Sequence, residues 1–265
     1  MKQIKIYDYY SFGFNYNLLL SDQTNKTNSQ LFPDVKRYLD FIRDLNLIVT
    51  VSSIKLLGLI PDLEKLQKLA KSRKTKDEKV DKPFWSGMLG KLRKVDLTLD
   101  AELNTKIAYL LDDKRYSNEI LLGNIHQLFS KTTFTILPTI AQYDFEESGK
   151  CLAYDRYTAC AFHSLRGTED VLKMYYEKIL VITPTETDTW GTFETGIVSA
   201  ISAGAISPEP AEQLIINIRS LRKYYRNPTQ HPQNTYTSDE AQDLFSLCIK
   251  TVNELIGDLK KRGIC

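Results

Sequence analysis

Arg226, Asn227 and His231 are the residues of this sequence whose types and spacing are best suited to chemistry. An arginine guanidinium offers a planar, permanently charged fork to phosphate oxygens. A histidine can take up and return a proton near neutral pH. An arginine, an amide and a histidine held together at one helix end would suit a phosphodiester. The alternative is an ordinary helix end that the histidine caps.

The element that must position these residues is a helix that ends beside Arg226. Asn227 precedes Pro228 and is therefore biased away from helical backbone. We expect the helix that begins near Pro210 to end at about Arg226. The break would let His231 fold back towards the arginine.

A second polar group lies on a helical pattern that runs from Glu147 to Ile179 without a proline. One face of this pattern is apolar and predicts a core contact. The opposite face carries polar residues three or four positions apart: His163, Arg166, Glu169, Asp170 and Lys173. Neighbours at this spacing can pair, so we expect Arg166 to pair with Glu169 or Asp170. The face is either an exposed set of ion pairs or, because Phe162 lies on it too, a partly covered surface.

Charge is nearly balanced over the whole chain but not along it. The 35 Lys and Arg against 33 Asp and Glu give a net charge of +2, which excludes a strongly basic polymer binder. Residues 71–94 nevertheless hold nine basic and three acidic residues, Lys74 and Lys76 among them. Within it, Lys71 to Lys82 has almost no apolar residues, which predicts an exposed loop or a frayed helix end. It is either a solvated linker or a surface that contacts a phosphate backbone.

The composition is that of a soluble globular protein, with 265 residues, 42% of them hydrophobic and 26% charged. The longest apolar stretch, from Leu47 to Ile60, is shorter than the roughly 20 residues that span a bilayer. No secretory leader is recognisable, so we expect a cytoplasmic protein without membrane contact. The four cysteines have no metal-ligand spacing, so we expect reduced thiols and no metal site.

The remaining patterns predict a mainly α fold. Aromatic residues partly alternate over the first twenty positions, which favours a short strand or β-hairpin there. Helical spacing follows from Asp34 to Leu69, with Pro61 starting a new helix, and again from Leu103 to Phe129. Residues 140–260 indicate a compact bundle of four or five helices. We therefore expect a mostly helical N-terminal region, 1–134, and a helical domain, 135–265.

The motif Arg226-Asn227-x-x-x-His231 resembles the R-N-x-x-x-H signature of HEPN domains, all-α proteins that are common in prokaryotic toxin–antitoxin and anti-phage systems. Residues 156–166 together with Glu169 resemble the first long helix of a bacterial HEPN-like group. Trp190-Gly191 and the residues from Tyr236 to Ala241 resemble the starts of two later helices. The resemblance covers roughly residues 135–260.

This resemblance implies a metal-independent endoribonuclease that needs no cofactor. By analogy, His231 would act as general acid or base, Arg226 would stabilise charge on the phosphate, and Asn227 would orient the histidine or the phosphate. Glu169, or less favourably Asp170, would be the polar residue supplied by the first helix. His163, Arg166, Lys74 and Lys76 are further candidates for binding the RNA substrate.

The resemblance also implies partners. HEPN subunits pack so that their motifs face each other, and a homodimer would supply the second histidine that acid–base chemistry needs. An antitoxin or another cognate protein would be a further partner. The alternative function is a non-catalytic HEPN-type module that binds a nucleotide or a partner. A third possibility is an unrelated helical scaffold in which these residues are structural.

Overall fold

The computed structural model describes residues 5–21, 23–230 and 234–265. Within these residues the regular elements are helices and no strand is present, so the predicted mainly α fold is confirmed. The chain divides into two compact units, Met1–Tyr109 and Leu110–Cys265. None of the helices in these ranges is both long and apolar enough to cross a membrane.

The first unit is a small helical bundle with its own apolar core. Its helices are α1 (Ile6–Leu19), α2 (Asn28–Asp44), α3 (Ile48–Leu56), α4 (Leu59–Lys71) and α5 (Lys82–Leu103). Fully buried side chains of α2, α4 and α5, such as Val35, Leu66 and Val95, meet in the core. Pro61 lies in the first turn of α4, as its position in the sequence predicts.

The predicted β-hairpin over the first twenty residues is wrong, because Ile6–Leu19 is helical. Phe12 and Tyr16, one helical turn apart, stack on Tyr38 of α2 with ring centroids 5.3 and 5.4 Å away. Phe12 also stacks on Phe41 at 4.5 Å. Aromatic residues four positions apart in a helix can pack on α2 together. This tertiary packing outweighs the partial alternation and the strand preference of the aromatic residues.

The second unit is built around one long central helix. Its elements are α6 (Asn118–Gly123), a 3-10 turn (Ile125–Leu128), α7 (Thr133–Ile136), α8 (Thr139–Ala153), α9 (Tyr157–Leu180), α10 (Trp190–Ser202), α11 (Glu212–Ser220), a π-helix (Leu221–Arg226), α12 (Asn227–Gln230) and α13 (Ser238–Lys261). Helix α9 packs against α8, α10 and α13. Its buried face includes Leu165, Leu172 and Tyr175, as the apolar stripe predicts.

Residues 104–117 are not helical, so the predicted helix from Leu103 to Phe129 is mostly wrong. Side chains of α13 hold this segment instead: Gln242 Oε1 accepts the backbone N–H of Arg115 at 2.7 Å, and the hydroxyls of Tyr116 and Ser246 lie 2.8 Å apart. These tertiary bonds replace the i→i−4 bonds of a helix. Arg115 and Tyr116 thus belong to the second compact unit, which begins at Leu110.

Helix α8 approaches α6 so closely that only glycine fits at position 149. A Cβ there would lie 2.7 Å from the carbonyl oxygen of Leu121 and 2.8 Å from Cδ1 of Ile125. We expect Gly149→Ala to lower the free energy of unfolding by about 1–3 kcal/mol, because a backbone carbonyl cannot move aside cheaply. Chemical denaturation measures the effect.

The matched control is Gly257→Ala on α13, where a Cβ would meet no atom within 4 Å. We expect this change to stabilise the unit by about 0.5–1 kcal/mol, the usual gain in a helix interior. Equal effects of the two substitutions would contradict the close approach of α6 and α8.

The predicted continuous helix from Glu147 to Ile179 is broken between Ala153 and Tyr157. Asp155 adopts left-handed backbone with φ 59°. Its Oδ1 lies 2.6 Å from Nζ of the nearly buried Lys114 and accepts the Tyr157 hydroxyl at 2.6 Å. These contacts stabilise a tight reversal, so α8 and α9 form an antiparallel hairpin.

All four cysteines are free, with Cys160 and Cys248 buried and Cys265 exposed. Burial raises the pKa of the Cys160 thiol to about 11 and that of Cys248 to about 12. Both are therefore protonated at neutral pH and pack as small apolar side chains.

Candidate functional site

The helix that carries Arg226 does not end there, which corrects the predicted break. The chain passes from α11 into the π-helix and on into α12, and Asn227 has helical backbone with φ −62° and ψ −49°. The backbone N–H of Asn227 donates to the carbonyl of Arg222, five residues back. A proline in a regular helix clashes with the carbonyl four residues earlier. The wider π turn accommodates Pro228, so the helix continues to Gln230.

His231 lies outside the described residues, so its approach to Arg226 stays a prediction. The residues on either side of 231–233 contact each other and helix α9. The hydroxyls of Thr229 and Tyr236 lie 2.7 Å apart, and the backbone N–H of Tyr236 donates to Oγ1 of Thr158 at 3.2 Å. Both flanks are therefore held near the first turn of α9.

Arg226 pairs with Glu169 of α9, 57 positions earlier in the chain. Its Nε and Nη2 donate to the carboxylate at 3.4 and 3.2 Å. The same carboxylate accepts the backbone N–H of Trp190 at 3.2 Å, so it also lies at the N-terminus of α10, where the helix dipole favours negative charge. Both side chains are about a quarter exposed, Arg226 at 24% and Glu169 at 22%.

The structure thus brings Arg226 and Glu169 together, while Asn227 lies exposed on the neighbouring turn. The hydrogen bonds between Arg226 and Glu169 use Nε and Nη2, and none of the described residues accepts from Nη1. A phosphate oxygen could bind there beside a carboxylate that holds the guanidinium in place.

Arg166 does not pair with Glu169 or Asp170, which corrects the prediction. It donates from Nε and Nη2 to both oxygens of Asp144 on α8, at 2.7 and 2.5 Å. His163 Nδ1 lies 2.9 Å from the same carboxylate. Asp144 is fully buried, and a buried carboxylate needs such partners. The pair also holds the pKa of Arg166 above its usual value.

Asp170, which also lies on α9, contacts the start of α8. Its carboxylate accepts the backbone N–H of Ala141, and burial raises its pKa. The polar face of α9 therefore divides between two neighbours: His163, Arg166 and Asp170 face α8, whereas Glu169 faces α10 and the π-helix.

Lys74 and Lys76 lie in the first unit, in an exposed loop after α4. The loop is tied to the start of α2, where the backbone N–H of Ser29 donates to the carbonyl of Lys76 at 3.0 Å and the Asn28 amide donates to the carbonyl of Thr75 at 2.9 Å. The predicted exposed loop is confirmed. Contact of its lysines with a phosphate backbone stays a prediction.

Two arginines that sequence reasoning missed lie next to the motif. Arg219 and Arg222 donate from Nε to the two oxygens of Glu194 on α10, at 2.9 and 2.6 Å. The two arginines could have been identified from the sequence, because residues 219, 222 and 226 recur at the three- and four-residue intervals of one helix face. Nothing in the sequence distinguishes Glu194 as their partner.

Among the described residues no group of three or more His, Cys, Asp or Glu side chains could hold a metal ion. A comparison of the chain with protein-family models, with curated proteins and with solved structures finds no match.

Proposed function

We propose that this chain is a metal-independent endoribonuclease of the HEPN type. The observation that carries the proposal is the pairing of Arg226 with Glu169 at a partly exposed position. The resemblance assigns these two residues to one site, although they are far apart in the sequence and on different helices. Arg166 and Asp170 pair elsewhere, which leaves Glu169 as the polar residue of α9 beside the motif.

In the proposed reaction the 2′-hydroxyl of a ribose attacks the adjacent phosphorus. The new O2′–P bond forms as the P–O5′ bond breaks, which yields a 2′,3′-cyclic phosphate and a 5′-hydroxyl end. His231 accepts the proton of the 2′-hydroxyl, and a second acid protonates the departing oxygen. Arg226 stabilises the charge that grows on the non-bridging oxygens. Glu169 orients the guanidinium.

The second acid is His231 of another copy of the chain in a two-fold dimer. One chain has three histidines, and His163 is engaged with Asp144. A symmetric dimer brings two identical motifs together without further components. The cellular role that fits such an enzyme is growth arrest in anti-phage defence or in a toxin–antitoxin pair, acting on cytoplasmic RNA under the control of a cognate protein.

The test is incubation of the purified full chain with mixed tRNA and mRNA in EDTA, with analysis of product ends and of mass on a sizing column. We expect a dimer that leaves 2′,3′-cyclic phosphate ends. An oligonucleotide that has the sequence of a cleaved site but contains 2′-deoxyribose should resist cleavage, because it lacks the attacking hydroxyl. Cleavage of the deoxy substrate, or 3′-hydroxyl products, would exclude this mechanism.

A second candidate function is a non-catalytic HEPN-type module that binds a nucleotide or a protein partner. One observation favours it: Glu169 already engages Nε and Nη2 of Arg226. In that case a folded dimer binds RNA or its partner and leaves RNA intact in the same assay.

A further inference from the structure

Three arginines form a row along one side of the helix that carries the motif. Arg219, Arg222 and Arg226 follow one another at spacings of three and four residues, and we call them the arginine row. Their exposure decreases along the row, from 55% for Arg219 and 35% for Arg222 to 24% for Arg226. The row therefore leads from open surface towards the candidate site.

A buried carboxylate holds the outer two arginines in place. Glu194 is only 5% exposed and accepts one N–H from each arginine. Both bonds use Nε, which leaves the Nη groups at the tips of the two forks. Fixed guanidinium groups lose little further freedom when an anion binds.

A glycine at the start of α10 leaves room for the side chain of Arg222. Gly191 is the second residue of α10, and a Cβ there would lie 3.2 Å from Nη1 of Arg222. Arg222 thus crosses the first turn of α10 close to Trp190, whose N–H donates to Glu169. Glu194 and Glu169 thus each hold arginines of the row beside the N-terminal half of α10.

The charges of this set do not cancel. Three guanidinium groups face two carboxylates, and Glu194 is the most buried of the five groups. Lys223, exposed on the same turn, adds a further cation. The outer surface of the arginine row is therefore positive and attracts an anion that repeats its charge along a chain.

We propose that the arginine row binds successive phosphates of a single RNA strand, with Arg222 and Arg219 holding phosphates beside the one that lies at Arg226. The proposal rests on the proposed function, since it takes the scissile phosphate to be at Arg226. The three arginines recur every three or four residues along one helix, and a row of single charges suits a ligand with one charge per unit. An acidic protein segment is the competing ligand, and the test distinguishes the two.

The test measures binding of the full chain to a short single-stranded RNA made of 2′-O-methyl nucleotides, which 2′-hydroxyl attack cannot cleave. The dissociation constant is followed over a range of salt concentrations. Each phosphate contact contributes about 0.7 to the slope of log K against log salt for single strands. We expect Arg219→Gln and Arg222→Gln each to reduce the slope by about 0.7 and to weaken binding at low salt.

Arg115→Gln is the matched control. Arg115 is an exposed arginine of the same unit that pairs with Asp239 and Asp243 of α13. The control removes the same charge, so we expect its slope to equal that of the wild-type chain. Arg222→Lys is a second variant that controls for loss of the fold, because it keeps a positive charge beside Glu194. If Arg222→Gln weakens binding by removing a phosphate contact, Arg222→Lys should retain the wild-type slope.

Three results would overturn the proposal: no RNA binding by the wild-type chain, equal slopes for the Arg219→Gln, Arg222→Gln and wild-type chains, or equal effects of Arg222→Gln and Arg115→Gln. Displacement of a bound acidic polypeptide that depends on Arg222, without RNA binding, would assign the row to a protein partner. Cleavage of unmodified RNA is measured separately. RNA binding that depends on the arginine row, without cleavage, would overturn the proposed nuclease activity but not the proposed RNA-binding role of the row. Cleavage together with RNA binding that does not depend on the row would overturn that role but not the nuclease activity.

Discussion

Arg226→Lys is expected to lower the rate of RNA cleavage by about a hundredfold or more while leaving the fold intact. Lysine keeps the positive charge, and its ammonium can still pair with Glu169 at the N-terminus of α10. It cannot offer the planar fork that binds a carboxylate and a phosphate together. Removal of one well-placed donor to a developing oxyanion costs about 10²–10³ in rate.

The measurement is kcat/KM for a labelled RNA, with kcat and KM determined separately. A loss in kcat with little change in KM would mean that Arg226 acts in the transition state, whereas a rise in KM alone would mean that it only binds RNA. Arg115→Lys is the control, because Arg115 also pairs with carboxylates of the same unit. Wild-type kcat/KM for Arg226→Lys would refute the assignment of Arg226 to the reaction.

Local periodicity predicts the central helix of the second unit well, but its start depends on distant residues. The buried stripe of α9 repeats every three or four residues and was readable from sequence. Its beginning was not, because residues 154–156 contain neither proline nor glycine. The reversal there depends on Lys114, which lies 41 positions before Asp155 in the sequence and pairs with it only in the folded chain.

The candidate site was predictable in its residue types and only partly in its contacts. Spacing rules describe neighbours on one helix, so they suggested Glu169 or Asp170 as partners of Arg166. The actual partner is Asp144, on the preceding helix of the hairpin. The likeness to a known motif was the only guide to a contact between Arg226 and Glu169. The π-helix was missed because a residue that precedes proline normally marks a helix end, whereas here the wider π turn accommodates Pro228.

Arg166→Met is expected to lower the free energy of unfolding of the second unit by about 1–3 kcal/mol, because Asp144 is buried while Arg166 is 44% exposed. The substitution keeps the apolar stem of the side chain and removes two hydrogen bonds to Asp144. Asp144 is fully buried, so its carboxylate would be left with His163 as its remaining described partner. Breaking such a pair costs more than the pair contributes, because one desolvated charge stays behind. Chemical denaturation of the full chain measures the change.

Arg115→Met is again the control, since its carboxylate partners on α13 are well exposed and a surface pair contributes only about 0–1 kcal/mol. Adding Asp144→Asn to Arg166→Met removes the unpaired buried charge and should recover part of the lost stability.

The sequence predicts Arg166 and His163 as substrate-binding residues, and the same variants test that prediction. A stable Arg166→Met chain with weakened RNA binding would favour that role. A destabilised chain whose RNA affinity is normal at low temperature would mean that Asp144, His163 and Arg166 fasten α8 to α9 and that the RNA-binding surface lies on the opposite side of α9, along the π-helix.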